Sequence, residues 1–281
     1  GTVTGATGAL SNLSLNANTI SAYGSSNYAN NSMLVSPTNL TNATSALMST
    51  QSADRTSGGS TISSVLVRST GSVQLTAAAV SDATLALNNN SIQSTALDNV
   101  VINQLKLTGT TATGDASLTM TGLQSPFTTT STSSVAADVS LVNLQTSAHD
   151  GNMKARTGYD SSDGLAAVNQ TLQLAGASRA SITASDNSVS SLLYANNASN
   201  TLGMRVTTST AMTAALSNSQ QVTTGALTAY TRGDIQLVST GDVDTSSLTL
   251  KGNTISATAG ANDASSAMTV AATDLVGRDQ I

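Results

Sequence analysis

Ten residues near one end of the chain, LSLNANTISA (13–22), return almost unchanged near the other as LTLKGNTISA (248–257). Extended outward, this echo becomes four copies that begin at Leu13, Leu85, Ile182 and Leu248 and align without a gap over 23 positions. The first position holds Leu13, Leu85, Ile182 and Leu248, and two residues on stand Leu15, Leu87, Ala184 and Leu250. Asn18, Asn90, Asn187 and Asn253 share the next matched position, followed by Ile20, Ile92, Val189 and Ile255. Further on, Asn27, Asn99, Asn196 and Asn262 coincide, as do Asn31, Asn103 and Asn200, with Ser266 in the fourth copy. Met33, Leu105, Leu202 and Met268 close the block, with Val35, Leu107, Met204 and Val270 two residues later. A unit repeated at intervals of tens of residues is the signature of a stacked repeat fold.

The starts are separated by 72, 97 and 66 residues, so variable material lies between copies. That material shares a weaker beginning around Gln51, Gln145 and Gln221, and RSTGSVQL (68–75) is echoed by TRGDIQL (231–237). The long second unit contains an apparent insertion, TGLQSPFTTTSTSS (121–134). The expected organisation is one repeat array over 1–281: three full units and a fourth that begins and stops, which suggests that something continues beyond the chain end.

Within a copy, Leu and Ile alternate with polar residues, the period of a strand with one face inward. Between the two alternating runs stand NAN, NNN, SDN and KGN, triplets that tolerate positive φ. Each copy therefore reads as strand, tight turn, strand, polar loop, strand. No long stretch keeps apolar residues at helical spacing, so the expected class is all-β.

Two all-β designs use this pattern. In a β-solenoid the turn is a corner, and each strand stacks on the one below. In a β-sandwich or hairpin array the strands fold back antiparallel around the turn. Composition favours the solenoid. Only 9% of residues are charged, against roughly 25% in ordinary globular proteins, and aromatics are 2% with no Trp. Rows of like charges would repel at a strand spacing of about 4.8 Å, and a narrow interior has no room for large rings. Small inward residues (Ala22, Ser94, Ser191, Ala257) suit such an interior, and repeated Asn can form amide ladders.

The runs LSLNANTISAYGSSNYANNSM and LTLKGNTISATAGANDASSAM resemble bacterial surface and secreted proteins built of β-strand repeats, with segments of the form L-x-L-x-x-N-x-I-S-A-x-A-x-x-N. The resemblance covers the four copies well and the intervening material poorly. It implies an exported structural or surface protein, including subunits of appendages and filaments, and carries over no catalytic residue.

Candidate chemistry is sparse. The only histidine, His149, opens the most charged stretch, HDGNMKARTGYDSSDG (149–164). There Asp150, Asp160 and Asp163 are weak candidates for calcium, a hard cation that takes clustered oxygens, although the spacing matches no EF-hand loop. All 15 acidic residues are Asp, no G-x-S-x-G segment occurs, and no enzyme is expected. Three Lys and seven Arg, scattered singly, argue against nucleic acid and anionic membranes. The longest apolar runs are a few residues, so no spanning helix is expected. No cofactor and no small-molecule substrate are expected. The absence of cysteine fits a bacterial exported chain better than a small disulfide-bonded domain.

The expectation is thus an extracellular, self-assembling homopolymer whose ends lack caps. The alternatives are the stalk of an adhesin and, further off, a polysaccharide-acting solenoid enzyme or a phage tail protein. Its framework residues are Leu13, Leu15, Asn18, Ile20, Leu85, Leu87, Asn90, Ile92, Ile182, Asn187, Val189, Leu248, Leu250, Asn253 and Ile255.

Overall fold

The computed structural model of the chain describes residues 2–5, 8–9, 12–42, 45–55, 66–114, 137–149, 152–158, 167–223 and 225–276. These residues form strands and connections with no helix among them. The chain visits five parallel sheets in the same order on each pass, and we name these A to E.

The first pass contains β1 (Thr2–Gly5) and β2 (Gly8–Ala9) in A, β3 (Asn12–Ser14) in B, and β4 (Thr19–Val35) and β5 (Asn39–Thr41) in C. It finishes with β6 (Ser45–Arg55) in D and β7 (Leu66–Ser69) in E. The second comprises β8 (Val73–Ser81), β9 (Thr84–Asn88), β10 (Ser91–Thr113), β11 (Val139–His149) and β12 (Met153–Thr157). The third comprises β13 (Val168–Ser178), β14 (Ser181–Ser185), β15 (Ser188–Thr210), β16 (Ala214–Thr223) and β17 (Leu227–Thr231). The fourth enters A with β18 (Gly233–Ser239) and β19 (Val243–Asp244), B with β20 (Ser247–Lys251) and C with β21 (Thr254–Val276).

Every described pairing is parallel, which rules against the hairpin array, whose neighbouring strands must run antiparallel. The register coincides with the sequence repeat. In sheet C, Ile92 lies opposite Ile20 and Val189, and Val189 lies opposite Ile255. In sheet B, Leu85 lies between Leu13 and Ile182, and Ile182 faces Leu248. In sheet D the separation between Gln51 and Gln145 is 94 residues, against 72 between Asn27 and Asn99 in sheet C. Most of the extra length of the second pass therefore enters between β10 and β11. The insertion expected at 121–134 falls there, outside the described residues.

The turn triplets are left-handed corners. Their middle residues, Ala17, Asn89, Asp186 and Gly252, have φ of 57°, 56°, 56° and 63° and stand one above another. A second stacked corner has Asp82, Arg179 and Thr245 at φ of 52°, 50° and 48°. Three of the four middle residues of the triplet are Asn, Asp or Gly, the types that enter this region at least cost.

One expectation needs correction. The polar loop placed after the second alternating run is strand throughout: β10, β15 and β21 each run 23 residues without a break. Polar composition suggested a loop, but the Asn side chains point inward and pair with one another. The strand bends instead of ending. Ile92, Ser94 and Ala96 face the interior, then Asn99, Val101, Asn103, Leu105 and Leu107 do, so the buried face changes phase at Asp98. The strand register passes from Leu97 opposite Tyr194 to Asn99 opposite Asn196, stepping over Asp98 and Ala195. The register is the same before and after this point, so every pass changes face together and the rows stay aligned.

The interior is apolar on both sides of this bend. One cluster gathers Leu75, Leu85, Leu87, Ile92, Leu172 and Ile182 from sheets A, B and C, and a second gathers Leu105, Leu107, Leu141, Leu202 and Met204 from C and D. A third, with Ala96, Leu193, Met153 and Ala155, joins C to E. Inward rows of Leu and Ile make these clusters continuous from pass to pass.

Candidate functional site: amide ladders that end at an open strand edge

The Asn rows found in the sequence are hydrogen-bonded ladders. Asn18 Nδ2 donates to Asn90 Oδ1 at 2.8 Å, Asn90 Nδ2 to Asn187 Oδ1 at 3.0 Å, and Asn187 Nδ2 to Asn253 Oδ1 at 3.0 Å. The same Oδ1 atoms accept the backbone N–H of the Asn one pass earlier, as in Asn90 N to Asn187 Oδ1 at 3.0 Å. A second ladder runs Asn27 to Asn99 to Asn196 to Asn262, each step 2.8 Å. A third runs Asn31 to Asn103 to Asn200, each step 2.9 Å, and ends weakly on Ser266 Oγ at 3.5 Å.

Each amide NH2 carries two protons, and inside the fold both are used. Asn99 Nδ2 also donates to the Thr146 carbonyl at 2.9 Å, and Asn187 Nδ2 to the Leu87 carbonyl at 2.8 Å. Sheet D answers sheet C with its own ladder, in which Gln145 Nε2 donates to Gln51 Oε1 at 2.8 Å and Gln220 Nε2 to Gln145 Oε1 at 2.7 Å. Asn103 and Asn200 reach across to Asn143 and Asn218, at 3.3 and 3.2 Å. Buried amides without partners cost about 1–3 kcal/mol each, so such a layer persists only when nearly every group is satisfied.

The third Gln of this row is Gln220, not the Gln221 inferred from sequence: Gln221 lies opposite Thr146 and is exposed. Two adjacent glutamines made the choice ambiguous. A further row, Ser49, Asn143 and Asn218, stands two residues before the Gln on every pass, and that fixed spacing from Gln51, Gln145 and Gln220 is its signal in the sequence.

Burial of the framework residues changes along the array. At the position of Leu85 and Ile182, which are 1% and 0% exposed, Leu248 is 42% exposed. At the position of Ile92 and Val189, both fully buried, Ile255 is 51% exposed. Leu87, wholly buried, corresponds to Leu250 at 54%. Leu13, Leu15 and Ile20 on the first pass are half-buried. Among the described residues, the outer sides of β20 and β21 thus carry apolar side chains, backbone groups with no strand partner and incomplete amides.

Asp82 and Arg179, at the second corner, form a bidentate ion pair, Nε to Oδ1 at 2.7 Å and Nη2 to Oδ2 at 2.6 Å. The hydrogen bonds from Arg179 hold the Asp82 carboxyl below its ordinary value, and Asp82 in turn raises Arg179. Arg179 is exposed and Asp82 half-buried, so this pair lies at the surface. A groove of ≈ 420 Å³ is lined by Lys106, Gly203, Arg205 and Thr269, among others.

The weak calcium candidates Asp150, Asp160 and Asp163 lie outside the described residues, as does the side chain of His149, whose backbone pairs with Arg55 at the end of β11. Among the described residues no three His, Cys, Asp or Glu side chains come together as a metal site. No helix among them is long and apolar enough to cross a membrane.

Fold and site define an all-β chain of parallel sheets tied together by buried amide ladders. No family model, no curated protein and no solved structure matches it.

Proposed function

We propose that the passes wind as a β-solenoid and that the chain is a structural protein of the bacterial exterior, assembling with copies of itself into a filament, tube or layer. One observation carries this reading. The fourth pass exposes Leu248, Leu250 and Ile255 at the positions that the second and third passes bury completely. A strand edge with unpaired N–H and C=O groups invites another strand, and an apolar stripe along it strengthens that pull. Covering each of these side chains stabilises the covered state by roughly 1 kcal/mol, before the backbone bonds are counted.

Non-closing contacts between unlike surfaces produce open polymers. The low charge supports the same reading, because stacked copies place equivalent residues in rows. Absence of cysteine and of clustered basic residues supports an exported chain that contacts neither nucleic acid nor anionic membrane. The ladders serve as scaffold, so the reading needs no catalytic residue, cofactor or bound ion.

The test is the 281-residue chain, purified without denaturant and followed by light scattering and negative-stain microscopy over a concentration series. The expected result is growth of elongated particles above a threshold concentration. A chain that stays monomeric at every concentration contradicts the proposal.

A further inference from the structure

The two outer passes differ in a way that fixes how copies meet. We infer that the fourth pass of one copy takes the first pass of a second copy, in parallel, with Leu248 over Leu13, Asn253 over Asn18, Ile255 over Ile20 and Asn262 over Asn27. This deepens the self-assembly reading and rests on it.

The ladders have a direction. Donation runs from the first pass towards the fourth in all three Asn rows. At the first pass, the Oδ1 atoms of Asn18, Asn27 and Asn31 accept no hydrogen bond among the described residues. At the fourth, Asn253 Nδ2 gives one proton to the Ala184 carbonyl at 3.0 Å, and Asn262 Nδ2 one to the Gln220 carbonyl at 3.4 Å. Among the described residues the second proton of each meets no acceptor. In these rows one end therefore offers acceptors and the other donors, at matching positions along the strand; the Gln row of sheet D donates the opposite way, but that sheet has no described strand on the fourth pass. Two first passes would set acceptor against acceptor, and two fourth passes donor against donor.

Shape and charge agree with this pairing. The junction repeats the internal contact between passes: Leu on Leu in sheet B, Ile on Ile and Met268 on Met33 in sheet C. Residues 12–42 contain no charged side chain, so Lys251, Asp263 and Asp274 of the fourth pass face Asn16, Tyr28 and Asn39 without like-charge contact. The fourth pass has described strands in sheets A, B and C only. The junction accordingly pairs those three sheets, and β16 and β17 face the next copy's β6 and β7 across the width of one strand.

The chain has no cysteine, which makes cross-linking a clean test. Ser21 and Ser256 point outward at equivalent positions, Ser21 opposite Gln93, Gln93 opposite Ser190, and Ser190 opposite Ser256. The variant Ser21→Cys/Ser256→Cys, assembled and then oxidised, should give a reducible series of dimers, trimers and longer species on a denaturing gel. Neither single variant should cross-link. As a control, Gln93→Cys/Ser190→Cys should close a disulfide within one chain, since opposed strand positions meet the required Cα separation of about 4.4–6.8 Å. If particles form and the control closes, yet Ser21→Cys/Ser256→Cys gives no series, this register is wrong while assembly stands. Cross-linking by Ser256→Cys alone, or more efficiently by Tyr23→Cys/Ser256→Cys, overturns it likewise. If no particles form, the self-assembly reading itself fails.

Discussion

Asn99 donates a hydrogen bond to Asn196 Oδ1 at 2.8 Å across 97 residues of sequence, and neither side chain reaches solvent. Asn99 also accepts from Asn27 at 2.8 Å and donates to the Thr146 carbonyl of the facing sheet. One side chain therefore ties three passes and two sheets together. Because an amide both donates and accepts, identical residues can pair without limit along a stack, which charged or apolar side chains cannot do.

Asn99→Ala removes the middle of that row and strands Asn27 Nδ2, Asn196 Oδ1 and the Thr146 carbonyl. It should cost about 3 kcal/mol or more in urea unfolding of the dispersed chain. Asn262→Ala, at the exposed end of the same row, should cost less than about 1 kcal/mol. Equal losses would show that the ladder's worth does not depend on burial.

Ile92 and Ile255 occupy the same repeat position, the first fully buried and the second 51% exposed. Ile92→Ala opens a cavity in the largest apolar cluster and should cost about 2–5 kcal/mol. Ile255→Ala should cost under about 1 kcal/mol in dilute chain, measured in the same denaturation experiment. It should instead raise the concentration needed for assembly.

The Asp82–Arg179 pair predicts a small pH effect. Its hydrogen bonds lower the Asp82 carboxyl in the folded chain, while Arg179 is raised and stays charged throughout. A depressed acid contributes stability above its unfolded value, near 4, and loses that contribution as pH falls through the folded value. Wild type should therefore melt slightly above Asp82→Asn at pH 7 in low salt. The two should converge as pH falls through the lowered folded value of Asp82, and also in 1 M salt, where surface pairs are screened. A difference that stays constant across pH would contradict the ion pair as its source.

The repeat register was legible because ladder positions demand the same residue on every pass. Asn18, Asn90, Asn187 and Asn253 could be aligned from sequence, and they form one row. The triplets NAN, NNN, SDN and KGN likewise disclosed the left-handed corners. What could not be read was which way the intervening Asn residues pointed. Asn99 and Asn103 look like loop residues, since their hydrogen-bond partners lie on passes and sheets far away in sequence. The phase change at Asp98 was hidden for a related reason: it shifts buried positions from even to odd within one strand, which breaks the alternation that marks a strand. In sheet D, Gln220 and Gln221 are chemically identical neighbours, and only the register distinguishes the inward one.

The most direct measurement is X-ray diffraction from an aligned specimen of the assembled chain. Strands stacked pass on pass, and copy on copy, lie across the filament axis. The account predicts a meridional reflection near 4.8 Å, with a subunit repeat of about 19 Å along the axis from four passes per copy. A 4.8 Å reflection on the equator, with strands parallel to the axis, would contradict it.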